Sequence, residues 1–298
     1  LSGSRAGCIT IGALRAAPNP ALSLEEVAMP RRLSRRNLAI ASLLVAASLL
    51  LARTGAAQAP AQAPPARSAT SAGVVADGML QAMGGQAAWD ATHYIHFTFA
   101  GRRTHTWDKW SGRHRLEGKT KDGESYVVLD NINTHDGTAW LNGKKVEGDK
   151  AQEMVKNAYA AWVNDTYWLL MPYKVKDPGV NLAYDGQDQV DGKSYDKLSL
   201  TFGQVGLTPG DHYWAWINRD THLMDRWAYL LQDEPRDKAP TVWLWQGWQR
   251  YGKIQLAPMR VQPGGDRKLE LSDIQVLDQL PDKVFTSPEP TGDLAAVR

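Results

Sequence analysis

The stretch HYIHFTFAGRRTHTWDKWSGRHRLEG, His93 to Gly118, decides the fold class. Ile95, Phe97 and Phe99 alternate with His96 and Thr98, which is the two-residue period of a strand with one buried face. Gly101 ends that run, and Ser111-Gly112 separates Thr104–Trp110 from Arg113–Lys119. Ser125–Asp130 and Thr138–Leu141 follow at about ten-residue spacing, with turn residues at Asp122-Gly123, Asp136-Gly137 and Asn142-Gly143. Short strands joined by Asp-Gly and Asn-Gly predict an antiparallel meander.

Two helical segments flank this meander. Val74, Val75, Met79, Leu80 and Met83 fall near helical spacing and stop at Gly84-Gly85. Met154, Val155, Ala158, Ala161 and Trp162 form one apolar face of a helix beginning at Asp149. Alternation then resumes at 179–184, 187–190, 195–202, 212–217, 223–231, 242–251, 254–261 and 269–276. A few helices against ten or more antiparallel strands predict a mainly β, α+β fold, a strongly curved sheet forming an incomplete barrel closed by helices.

Composition divides the chain of 298 residues near residue 73. From Met29 a basic stretch precedes the apolar run Leu38–Ala52 and then small residues, the order of a secretory signal. That run is shorter than the roughly 20 residues a spanning helix needs, so cleavage near Ala57 or Ala59 is expected. Arg35-Arg36 resembles a twin-arginine signal, but paired arginines also occur in ordinary basic n-regions, and the general secretory route is the expected one. Residues 1–28 read as a leader or overextended start, 29–57 as the signal, 58–72 as a Pro/Ala/Gln tether, 73–288 as one domain and 289–298 as a flexible tail. Without its first 57 residues the chain has 27 basic and 30 acidic residues, so nothing favours nucleic acid. The one cysteine, Cys8, precedes the signal, which leaves the exported body without disulfide, thiolate or lipidated cysteine.

All 12 tryptophans lie beyond the tether. Trp214 with Trp216, and Trp243 with Trp245, are each two apart and share a face. Bulky rings in a curved sheet are either core or the lining of an apolar ligand cavity; stacking on sugars is a third use. Seven histidines are scattered, and His93 and His96 point to opposite strand faces, so they read as surface or edge residues rather than metal ligands. His105, on a paired strand, could approach one of them. Asp122, Asp136, Asp185, Asp191 and Asp220 sit in turns. No G-x-S-x-G, P-loop, G-x-G-x-x-G or H-E-x-x-H occurs, and no metal or cofactor is expected.

The order helix, meander, helix, meander, with YWLLMPYKVKDPGV (167–180), YDKLSLTFGQVGLTPGDHYWAWINRDTHLMDRW (195–227) and YGKIQLAPMRV (251–261), resembles the outer-membrane lipoprotein-sorting-like proteins. These include relatives of the carrier LolA and a subgroup with the P-Y-K-x-K-D-P-G segment. The resemblance implies a half-barrel with an apolar cavity that accepts acyl chains. Candidate cavity residues are Phe97, Phe99, Trp107, Trp168, Tyr173, Trp214, Trp216, Trp243 and Trp245, with Lys174 and Lys176 at the rim to meet an anionic head group. The second helix is expected to end at Asn164-Asp165, and Pro172 disfavours helical geometry at Met171; if the piece after it is extended, those lysines share a face. Pro178-Gly179 predicts a type II turn. The expected function is binding or carriage of an apolar or lipid-like ligand by a monomeric periplasmic protein with transient membrane contact. An exported hydrolase or glycan-active protein, and an envelope protein-interaction module at an open sheet edge, stand as alternatives.

Overall fold

A computed structural model describes residues 71–291 and Leu294. The expected leader, signal and most of the tether fall outside the described residues.

The chain opens with α1 (Ala72–Ala82), whose N-cap Ser71 accepts a hydrogen bond from the Val74 N–H. It stops at Gly84 and Gly85, both at positive φ, followed by the short α2 (Gln86–Asp90). The first meander is β1 (Tyr94–Phe99), β2 (Arg103–Asp108), β3 (Arg113–Lys119), β4 (Ser125–Asn131), β5 (Gly137–Leu141) and β6 (Lys144–Val146). Ala100-Gly101 and Asn142-Gly143 carry positive φ at both central positions, the type I′ geometry whose twist matches paired strands.

Next comes α3 (Gly148–Lys174), and the second meander runs through β7 (Val180–Val190), β8 (Lys193–Phe202), β9 (His212–Asn218), β10 (Met224–Leu230) and β11 (Thr241–Gln246). A separate hairpin, β12 (Gln249–Tyr251) with β13 (Ile254–Leu256), interrupts it before β14 (Met259–Val261), β15 (Lys268–Leu277) and α4 (Lys283–Thr286). Gly247 at positive φ and Pro258 break the two longer strands expected over 242–251 and 254–261. The segments expected at 179–184 and 187–190 are instead one strand with a bulge at Gly186.

Thirteen strands form one antiparallel sheet in the order β6-β5-β4-β3-β2-β1-β15-β14-β11-β10-β9-β8-β7. It is not closed: β6 and β7 are its edges. The fold is mainly β, as the alternation predicts.

The helix α3 lies across the inner face. Its first half packs Val155, Ala158 and Ala161 on Leu116, Val128 and Ala139, while Tyr167 to Tyr173 enter the main core with residues of α1, β1, β2 and β8 to β11. One helix thereby covers both halves of the sheet.

The predicted end of this helix near Asn164-Asp165 is overturned: it continues to Lys174 with Pro172 inside. A proline at this position leaves the carbonyl four residues back, that of Trp168, without its helical donor. The buried guanidinium of Arg260 supplies the replacement, with Nε 3.1 Å from the Trp168 oxygen and Nη2 also bonded to it. Asp177 to Val180 then form the expected turn, with Gly179 at φ 87° and Val180 N–H bonded to the Asp177 carbonyl at 3.0 Å.

On the outer face, α4 and the segment after it lie over β1 and β3. Arg115, fully buried, donates to the carbonyls of Val284, Ser287 and Glu289 and to Glu117. Phe285 and Leu294 pack with Tyr94 in this layer.

Candidate functional site

Trp168 on α3 is the centre of the interior. Its ring meets Trp227 at 5.1 Å and Trp243 at 5.3 Å, both edge to face, and Trp227 meets Trp245 at 5.5 Å in the same way. Strand register explains the convergence. Trp227 pairs with Trp243, and Trp245 lies two residues further along β11 on the same face. Tyr167 joins through Tyr213 at 5.3 Å. Arg260 lies over Trp245, its guanidinium carbon 3.3 Å from the ring centre, and its Nη1 donates to the carbonyls of Ala257 and Met259. Burial without a carboxylate partner pushes the Arg260 pKa down.

Phe97, Phe99, Trp107, Trp168, Tyr173, Trp243 and Trp245 all belong to this interior. Trp214 and Trp216 do not. They point to the outer face, where they pack with Tyr195 and Ala228; His212 stacks on Trp214 at 3.9 Å and the Trp216 N–H donates to Asp188 at 2.7 Å. A period of two tells that each tryptophan pair shares a face, not which face it is.

The interior is packed with rings. Grooves of about 620 Å³ and 440 Å³ lie elsewhere, one between the β1–β2 and β3–β4 turns and Pro288–Pro290, the other between His135–Gly137 and α3. None of the candidate residues lines either of them. Among the described residues, however, the Tyr167 hydroxyl and the indole N–H groups of Trp107, Trp168, Trp227 and Trp245 are buried without a hydrogen-bond acceptor. Edge-to-face packing gives such N–H groups only weak π contacts.

Tyr173 faces inward at the end of α3, stacked on Trp89 at 4.6 Å, its hydroxyl 2.9 Å from the carbonyls of both Met83 and Gln255. The two lysines do not share an extended face, because Lys174 closes the last turn of α3. It pairs with Asp177 at 2.5 Å, and Lys176 pairs with Asp77 of α1 at 2.6 Å.

A second cluster links α3 to the first meander. Asp165 accepts from Arg103 Nε at 2.6 Å and Nη2 at 2.7 Å, lies 2.8 Å from His105 Nε2, and accepts from the Asn164 amide at 2.7 Å. His105 Nδ1 is 3.0 Å from His114 Nε2, and His114 Nδ1 is 2.8 Å from Asp130 Oδ1. The register Trp107 with His114 with Asp130 puts these groups on the inner face. Burial pushes the His105 pKa down to about 4, against the opposing pull of Asp165. Asp165 stays well below the usual carboxylate range because Arg103 and His105 outweigh its burial.

His105 and His114 are therefore interior, and His96 is also buried, contrary to the surface or edge reading. His105 faces Phe97, stacked at 4.8 Å, rather than His93 or His96. The alternation around Phe97 and Trp107 signals which face His105 takes. The partner Asp165, on a helix 60 residues away, has no local signal.

No family model matches the chain, and no curated protein matches it. Solved structures do. A DUF1329 family protein from Desulfovibrio piger aligns over 73% of this chain and 99% of its own, at 13% identity and TM-score 0.40. A LolA superfamily protein from Nitrosomonas europaea aligns over 71% of this chain and 97% of its own, at 11% identity and TM-score 0.32. The chain is similar to LolA superfamily structures. The Mycobacterium tuberculosis lipoprotein LppX aligns over 70% of this chain and 99% of its own, at 15% identity and TM-score 0.20. The fold class rests on the open sheet and the helix across it, not on these alignments.

Proposed function

We propose that the half-barrel interior is a binding site for an apolar or lipid-like ligand, in its closed form. The observation that carries this reading is the set of buried donors around Trp168. A finished core satisfies its polar groups, because an unpaired buried donor costs about 1–3 kcal/mol. Here the Tyr167 hydroxyl and the N–H groups of Trp168, Trp227 and Trp245 converge on one aromatic interior with no acceptor. A ligand with an acyl chain and an ester, amide or carboxyl oxygen would satisfy both the rings and the donors. Entry requires α3 or α1 to move off the sheet, with Lys174 and Lys176 near the mouth. The export pattern of residues 29–57 supports a periplasmic setting for this activity, in a monomer that meets membranes transiently.

Native mass spectrometry of the chain purified from its own cell envelope tests the reading. A bound apolar molecule is expected. An empty protein that also takes up no acyl probe contradicts it.

The envelope-partner reading has one observation in its favour. The edge strand β7 is 11 residues long, is paired in the sheet with β8 alone among the described residues, and exposes alternate residues from Asn181 to Gln189. A partner strand could extend the sheet there. Ala183→Lys should abolish capture of such a partner from envelope extract; undiminished capture removes the edge from consideration.

A further inference from the structure

Three hydrogen bonds join four ionisable side chains in a line beneath α3: Asp165 to His105, His105 to His114, and His114 to Asp130. All four side chains are shut off from solvent. Each bond needs one proton and only one. A carboxylate brings none and a neutral imidazole brings one, so two carboxylates and two neutral imidazoles supply two protons for three bonds. The line closes only with a third.

Its position follows from the neighbours. Two bonds from Arg103 keep Asp165 a carboxylate, so His105 donates from Nε2 and accepts at Nδ1. His114 must then donate from Nε2, and the third proton lies between its Nδ1 and Asp130 Oδ1, where the imidazole, ordinarily the stronger base of the two, holds it. Charge agrees independently. Arg103 and the third proton are two positive charges against two carboxylates, which leaves the buried group neutral. The other facing groups are Tyr126 of β4, beside Arg103 and Asp165, the Asn164 amide of α3 and the Phe97 ring of β1. None of them supplies or removes a charge near neutral pH.

We propose that this line is a proton-counting anchor, which docks α3 on β2 to β4 when it holds three protons and loosens the helix when it holds two or four. Asp165 is the helix's contribution, and the other three groups belong to the sheet. A fourth proton, on His105 Nδ1, faces the His114 N–H and breaks the middle bond. Loss of the third leaves a His114 lone pair against the Asp130 carboxylate and breaks the last one. The anchor stands whether or not the interior takes a ligand.

Nitrogen and proton NMR of the histidine side chains in the full chain at pH 7 tests it. His105 is expected neutral with its proton on Nε2, and His114 with protons on both nitrogens. A neutral, singly protonated His114 overturns the proposal. Asp130→Asn provides a second test, because its amide N–H donates to His114 Nδ1 and completes the line with no extra proton. In that variant His114 becomes neutral. Hydrogen-exchange protection of α3, corrected for intrinsic rates, should fall about tenfold per pH unit on either side of the wild-type window. Asp130→Asn should abolish the fall on the basic side and keep the one on the acid side. An unchanged basic limb in the variant also overturns the anchor; if the variant does not fold, the wild-type spectrum decides.

Discussion

Arg260 donates to the carbonyl of Trp168, the acceptor that Pro172 deprives of its helical partner. This one contact lets α3 run through a proline and carry Trp168, Leu169, Leu170, Met171 and Tyr173 into the interior, all of them buried. The guanidinium holds no carboxylate among the described residues; carbonyl oxygens and the face of Trp245 stabilise its charge.

The two residues should therefore be energetically coupled. Arg260→Met strands the Trp168 carbonyl and should cost about 2–4 kcal/mol. Pro172→Ala restores a backbone N–H that can bond to that carbonyl, so in this background the cost of Arg260→Met should shrink by about 1–2 kcal/mol. Urea denaturation of the four-member cycle measures the difference; equal costs in both backgrounds contradict the capping role.

Asp165 holds α3 to β2 through two bonds from Arg103 and one from His105. Asp165→Asn leaves Arg103 without its counter-charge and should cost about 3–5 kcal/mol. A loss under about 1 kcal/mol in thermal unfolding would show that the pair contributes no more than a surface ion pair does.

Acid lability follows from His105. Its folded pKa of about 4 lies below the ordinary histidine value of 6.5, so the unfolded chain binds the extra proton first as pH falls. Stability from this group is complete above pH 6.5 and is lost progressively between 6.5 and about 4. Between pH 6.5 and 5 the share lost through this ring should approach about 2 kcal/mol, and the depressed Asp165 adds a further loss below the usual carboxylate range. His105→Gln should remove the first slope and keep the second. A stability profile flat from pH 7 to 5 in the wild type contradicts neutral burial of this ring.

Lys176 and Asp77 are both largely exposed, so breaking their pair should change stability by under about 1 kcal/mol. The rim reading predicts more for binding. Lys174→Gln with Lys176→Gln should weaken an anionic acyl probe several-fold more than a zwitterionic one of equal chain length, at unchanged Tm. Equal weakening of both probes, or none, would leave the lysines as structural ion pairs.

Local patterns made the strands legible, because Ile95, Phe97 and Phe99 and the Asn142-Gly143 turn each act within a few residues. The length of α3 was not legible. Pro172 is a stop signal on its own, and the arginine that offsets it lies 92 residues beyond the carbonyl it caps. For the same reason His105 reads as an edge residue until Asp165 is brought over it. Trp214 and Trp216 were misplaced because alternation fixes relative faces only, and the inner face of β9 is taken by Tyr213, Ala215 and Ile217.

The proposed function requires the aromatic interior to open to an apolar ligand. Titration of the full chain with a fluorescent fatty acid, read as energy transfer from tryptophan, tests it most directly. We predict saturable one-to-one transfer that Trp227→Ala weakens at least tenfold, while Trp214→Ala on the outer face leaves it unchanged. No saturable transfer, or equal loss from both substitutions, would mean that the rings around Trp168 are a core and nothing more.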